Sequence, residues 1–180
     1  LKNTSSLRKR KRRLLTALFH FVAKVRQFAN PRLLIKAAVV EFIGIILMYL
    51  LDTNICIFLI KNTFPILTKR IFATSGNDLF LSSISIAEME YGASKSQNRE
   101  KNRKALLDFC IDFNILDFTA EDTEAYGIIR SYLEKEGNVI GPYDMQIAAQ
   151  AMTRNLIVIT NNYDEFARIP WIKVEDWTKK

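Results

Sequence analysis

Three short runs constrain this chain more than anything else in it: "MYLL" (Met48–Leu51), "LFLSSI" (Leu79–Ile84) and "LIVIT" (Leu156–Thr160). Each begins without any apolar/polar alternation, so neither side of the run is set aside for water. Strands of that kind are buried on both faces, as in a parallel sheet covered by helices. The first two runs pass straight into stretches with helical periodicity, and the third follows one. Helices are expected through Ile55–Lys61 and across Phe64–Ala73, and again over "SIAEMEYGAS". Asn98 to Phe113 is amphipathic, with Ala105, Leu106, Phe109 and Cys110 on one face. "NILDF" reads as a short strand. Thr119 is the expected N-cap of the next helix, and Gly137 its stop. Pro142 opens the helix "YDMQIAAQAMTRN", and "WIKVEDW" closes with a last strand. The expected class is α/β, with a mainly parallel central sheet covered on both faces.

The chemistry should sit where strands hand over to helices, because ligands of open parallel sheets lie beyond the carboxyl ends of the strands. Asp52 directly follows the first run, and Glu88 lies one turn into the helix after the second. Asp144 lies in the first turn after the Gly141-Pro142 break. Thr160, Asn161 and Asn162 end the fourth strand, with Asp164 and Glu165 close behind.

Those acids have no histidine to work with. The only one, His20, lies in the first 47 residues, so residues 48–180 contain none. That removes Ser-His-Asp and Cys-His sites and most zinc sites. Cys56 and Cys110 have no metal-ligand spacing and read as two buried thiols rather than a disulfide. Oxygen ligands alone suit hard cations, Mg²⁺ or Mn²⁺, and such a site can activate water against a phosphodiester. Glycoside hydrolysis, the other chemistry of paired acids, needs one carboxyl kept neutral by a raised pKa and a sugar groove with aromatic lining, and the sequence shows neither. A phosphatase of the haloacid-dehalogenase type would place a second Asp two residues after Asp52, where this chain has Asn54. A response-regulator receiver would need an acidic pair near Asp52 and a late Lys, and lacks both.

The segments "MYLLDTNICIFLIK", "SSISIAEMEYGASKS", "GPYDMQIAAQAMTRN" and "LIVITNNYDEFARIPWIKVEDW" together resemble the PIN-domain toxin ribonucleases of the VapC type. The resemblance runs from Met48 to about Trp177. It implies a three-layer α/β/α sandwich, a Mg²⁺- or Mn²⁺-dependent endoribonuclease, and a VapB-type antitoxin as partner. It also implies tRNA as substrate, initiator tRNA cut in the anticodon loop. By motif, Asp52 and Asp144 would be metal ligands and Glu88 would complete the acidic cluster. Thr53 and Thr160 would orient ligands or the attacking water. Many PIN domains carry an Asp where this chain has Asn162; Asp164 or Glu165 would then supply the fourth charge, or three acids suffice.

Each residue also has a plainer reading. Asp52 can cap the following helix. Ser85-x-x-Glu88 fits a capping box. Asp144 can be a favourable charge at a helix N-terminus, and Asn161 and Asn162 a turn. Trp171 and Trp177 read as core or edge packing. A non-catalytic module holding a metal or a basic peptide, and a PIN nuclease with a non-toxin role, both stay open.

The formal charge of +7 hides an uneven distribution. Residues 1–47 carry 11 Lys/Arg against one acid, Glu41, while residues 48–180 carry 15 against 18. The reading adopted takes Met48 as the native start and 48–180 as the PIN domain, with 1–47 a basic and apolar extension outside the native protein. A basic arm at Arg8–Arg13 and a membrane anchor beginning at Leu33 are the alternatives. Lys36 and Glu41 count against the anchor, and the expected location is cytoplasmic. Lys95, Arg99, Lys101, Arg103 and Lys104 form a basic run suited to RNA or to an ordinary solvated helix. The apolar segments Ile55–Ile60 and Phe64–Phe72 could form a homodimer or antitoxin face, or simply core.

Overall fold

The computed structural model describes residues 47–179. The expectations for Arg8–Arg13 and for Leu33–Ile46 fall outside the described residues. Among those residues no helix is long and apolar enough to cross a membrane.

The elements run β1 (Tyr49–Leu51), α1 (Thr53–Ile60), α2 (Pro65–Ala73), a 3-10 turn (Gly76–Asp78), β2 (Leu79–Ser82) and α3 (Ser83–Lys95). Then come α4 (Arg99–Cys110), β3 (Asn114–Leu116), α5 (Ala120–Lys135), α6 (Pro142–Arg154), β4 (Ile157–Ile159), α7 (Tyr163–Phe166) and β5 (Lys173–Glu175). The five strands are parallel in the order β3-β2-β1-β4-β5. The order reverses between β1 and β4, so the crevice that parallel sheets use for ligands opens at their carboxyl ends.

The side-chain period of two sorts the apolar runs into two cores. Leu50 and Val158 are register partners on one face, packed with Ala125, Ile129 and Leu133 of α5, Ile147, Ala148 and Ala151 of α6, and Phe166 of α7. Leu51, Leu81 and Ile159 share the other face with Ile55 and Cys56 of α1, Leu67 of α2, Met89 of α3 and Leu106 of α4. The result is the three-layer α/β/α sandwich. Burying one such Leu or Ile contributes roughly 1.5–3 kcal/mol, and Ile129→Ala would cost roughly 2–5 kcal/mol through the cavity it leaves.

Helix ends follow local chemistry. Thr119 caps α5 in a capping box with Asp122, and the chain turns at Gly137 with φ +67°. Pro142 takes the first position of α6, where its missing N–H costs nothing, and Asn155 ends that helix in the left-handed region. Other limits shift from the sequence reading. β2 stops at Ser82, whose Oγ accepts from the Ile84 N–H at 3.0 Å and starts α3. Ser85 is therefore inside the helix and buried, with no hydrogen bond to its Oγ, so the Ser85–Glu88 capping box does not form. Helix α1 begins at Thr53, so Asp52 stands at its cap while Thr53 and Asn54 are already helical. Of the two apolar segments, Ile55, Cys56 and Leu67 go into the core, whereas Phe72 is 84% exposed. Trp177 is buried against Tyr49, and Trp171 lies half-exposed at an edge on Tyr132. Both cysteines are free thiols.

Candidate active site

Asp52-Thr53-Asn54 interrupts an apolar run at the point where β1 hands over to α1. β1 delivers Asp52 to the rim of the sheet at the switch point, with its backbone N–H bonded to the Ile159 carbonyl of β4 at 3.0 Å. Its side chain is only 3% exposed. One oxygen accepts from the Thr53 N–H at 2.6 Å, and the other from the Thr160 hydroxyl at 2.8 Å. Asp52 is thus both a helix cap and a member of the crevice. Thr160 is fully buried at the end of β4, and its hydroxyl also accepts from the Asn162 N–H at 2.9 Å. From α1, the Thr53 hydroxyl donates to Glu88 on α3 at 2.5 Å. Two threonine hydroxyls therefore hold two of the acids, Thr160 that of Asp52 and Thr53 that of Glu88.

Electrostatics ties in the others. Burial, with the charge of Glu88 added, pushes Asp52 up to about 6 from an ordinary value near 3.8. The Thr160 hydroxyl and the Thr53 and Asn54 N–H groups oppose that rise without cancelling it. Asp144, three residues into α6, is pushed up to about 7 by burial and then by the charges of Asp52, Glu165 and Glu88. Four acids from four different helices or their caps thus act on one another. Among the described residues no ion pair involves any of them.

No three His, Cys, Asp or Glu side chains among the described residues stand close enough to enclose a metal ion. The donor chemistry nevertheless fits a hard cation: carboxylate oxygens only, buried or half-buried, repelling one another, and with no Lys or Arg among the described ion pairs to balance them. A divalent ion is the simplest group that removes the repulsion.

The structure separates the two acids that the sequence left as alternatives. Glu165 is half-buried and raises Asp144, whereas Asp164, one residue and roughly 100° around the helix, is exposed and acts on Lys179. Asn162 caps α7 through its backbone position, and its side chain makes no cap bond. Sequence reasoning does not single out Gln150. That residue is fully buried on α6, where it accepts from the Ser82 hydroxyl at 2.5 Å and donates to the Leu116 carbonyl at 3.1 Å. It ties the helix that carries Asp144 to the ends of β2 and β3. No local pattern could reveal it, because its partners lie 68 and 34 residues away.

The PIN domain family matches residues 49–172. The tRNA(fMet)-specific endonuclease VapC of Shigella flexneri is 39% identical over 132 residues, 73% of this chain and 99% of that one. Two solved structures resemble it at TM-score 0.69. VapBC2 from Rickettsia felis, bound to a DNA fragment from its promoter, is 38% identical over 73% of this chain and 99% of that one. DNA-bound VapBC from Salmonella typhimurium is 40% identical over 73% and 98%. A five-stranded parallel sheet with acids gathered at its switch point, and relatives matched along nearly their whole length, lead to one assignment. The chain belongs to the PIN-domain family, and within it to the VapC ribonucleases.

Proposed function

We propose that this ribonuclease is the toxin of a toxin–antitoxin pair, that it hydrolyses tRNA, initiator tRNA in the anticodon loop in particular, and that it uses Mg²⁺ or Mn²⁺. The observation that carries the chemical part is the pair Asp52 and Asp144, raised together in a crevice with no cationic partner among the described residues. Asp52, Glu88 and Asp144 would hold the ion. When bound, a divalent ion supplies Lewis-acid activation of water and neutralises charge at the phosphodiester.

The residues of the chain do the rest. Thr160 fixes one oxygen of Asp52 and the Thr53 N–H the other, so this carboxylate meets a substrate already oriented. The Thr53 hydroxyl does the same for Glu88. Glu165, beside Asp144, is the favoured fourth acid. RNA needs cations outside the acidic crevice, and Lys95, Arg99, Lys101 and Lys104 are exposed on α3 and α4. Arg103 is already engaged with Glu90 at 3.5 Å.

The substrate class follows the Shigella relative, and the partner follows the VapBC complexes. A VapB-type antitoxin with an Arg or Lys tail would find the same carboxylates a docking point. The PIN domain is taken as residues 48–180 and its location as cytoplasmic.

The test is incubation of the purified chain with total tRNA, with Mn²⁺ or EDTA, followed by a gel probed for initiator tRNA. A discrete fragment that disappears with EDTA is expected. Intact tRNA from a folded, metal-loaded protein would leave the acids as a binding site that cuts nothing.

A further inference from the structure

Gly141 is the N-cap of α6, with φ −56° and ψ 143°. Any L-residue adopts that extended conformation without strain, so the backbone gives no reason for glycine. Packing gives a single reason. A Cβ built there would lie 3.0 Å from Oδ2 of Asp144 and 3.6 Å from its Cγ, and would meet nothing else within 4 Å. The Asp144 carboxylate is folded back over the start of its own helix, in the space a side chain at 141 would take.

We infer that Gly141 is a positioning residue for Asp144: the missing side chain leaves free the space beside the start of α6 in which the carboxylate stands. The inference rests on the proposed role of Asp144 in the acidic site. A methyl group at 141 has an unusually clean consequence. The crowded neighbour is the free end of a side chain, so relief comes from rotating Asp144 and leaves backbone and core alone. Fold and site then respond in opposite directions. The folded chain keeps its stability nearly unchanged, since the gain from a narrower unfolded ensemble offsets the poorer N-cap that Ala makes. The carboxylate is displaced by a few tenths of an ångström or changes rotamer.

The control is Gly127, exposed in the middle of α5, where a Cβ would meet nothing within 4 Å. Gly141→Ala, Gly127→Ala and Asp144→Asn are compared with the parent chain in four measurements: melting temperature, Mn²⁺ affinity by calorimetry, tRNA cleavage, and a crystal structure of Gly141→Ala. Expected for Gly141→Ala are an undiminished melting temperature, a displaced Asp144 carboxylate, and Mn²⁺ affinity and cleavage each reduced about 10- to 100-fold, the usual effect of disturbing a ligand's support. Gly127→Ala should leave metal affinity and cleavage unchanged. The inference is overturned if Gly141→Ala keeps the parent's Asp144 position, or its Mn²⁺ affinity and cleavage. It is equally overturned if the variant melts early, because the glycine would then serve the fold. If Asp144→Asn itself cleaves and binds Mn²⁺ like the parent, the functional reading fails instead, and the crystal structure still decides where the carboxylate goes.

Discussion

Carboxylates at two places stand at helix starts in this molecule, Asp122 in one and Asp52 with the half-buried Asp144 in the other, and they point in opposite electrostatic directions. Asp122, fully buried at the start of α5, would be raised by burial alone. The Arg154 guanidinium outweighs that, together with the hydroxyls of Thr153 and Thr119 and the Thr119 N–H, and holds it down to about 2. Asp52 and Asp144 have threonine and backbone donors or other acids around them, but no cation among the described residues, and are raised to about 6 and 7. The satisfied group ties α5 to α6 and is finished as a structure. The second group has no such counter-charge among the described residues, which is the pattern the proposed function requires of its site.

This contrast can be broken from either end. The largest effect should come from Asp52→Asn or Asp144→Asn: cleavage falls by at least about 10³-fold, roughly 4 kcal/mol of transition-state stabilisation, while circular dichroism shows an intact fold. Next is Asp122→Ala, which strands Arg154 between the helices. Denaturant titration should show a loss of about 2–4 kcal/mol, with cleavage per folded molecule unchanged.

The pH dependence of stability sharpens the comparison. The folded value of Asp122 is depressed, so its contribution is present above about pH 4 and is lost as pH falls towards 2. The folded values of Asp52 and Asp144 are raised. Their contribution is full below about pH 4 and is lost as pH rises through 6 to 7. The metal-free chain should therefore melt highest near pH 4–5 and lose about 1–3 kcal/mol by pH 8, allowing for the partial exposure of Asp144. Asp144→Asn should flatten that upper limb, and a melting profile identical to the parent's would contradict the reading. The smallest effect is that of Thr160→Val, which removes one donor from Asp52. Cleavage should fall about 10- to 100-fold at saturating RNA, and an unchanged rate would take Thr160 out of the site.

The sequence made the sheet legible because β1, β2 and β4 are buried on both faces and leave no alternation to misread. Asp52 directly follows a strand and Asp144 opens a helix, and Glu88 lies in the helix that follows β2, so all three fall near strand-to-helix handovers that the sequence pattern displays. Other features were beyond reach for identifiable reasons. Three serines, Ser82, Ser83 and Ser85, compete to start α3, and only packing makes Ser82 the cap and buries Ser85. Asp164 and Glu165 are equivalent as letters and differ only in which way a helix turn aims them. The Asp122–Arg154 and Ser82–Gln150 pairs join residues 32 and 68 apart, a separation that no local periodicity encodes.

The most direct measurement is calorimetric titration of Mn²⁺ into the chain at pH 6.5, in two buffers of different ionisation enthalpy. At that pH Asp52 and Asp144 are partly protonated, so the account predicts binding with proton release, visible as a buffer-dependent heat that Asp144→Asn diminishes. Binding with no proton release, or no binding at all, would contradict it, because the two raised carboxylates would then not be waiting for a cation.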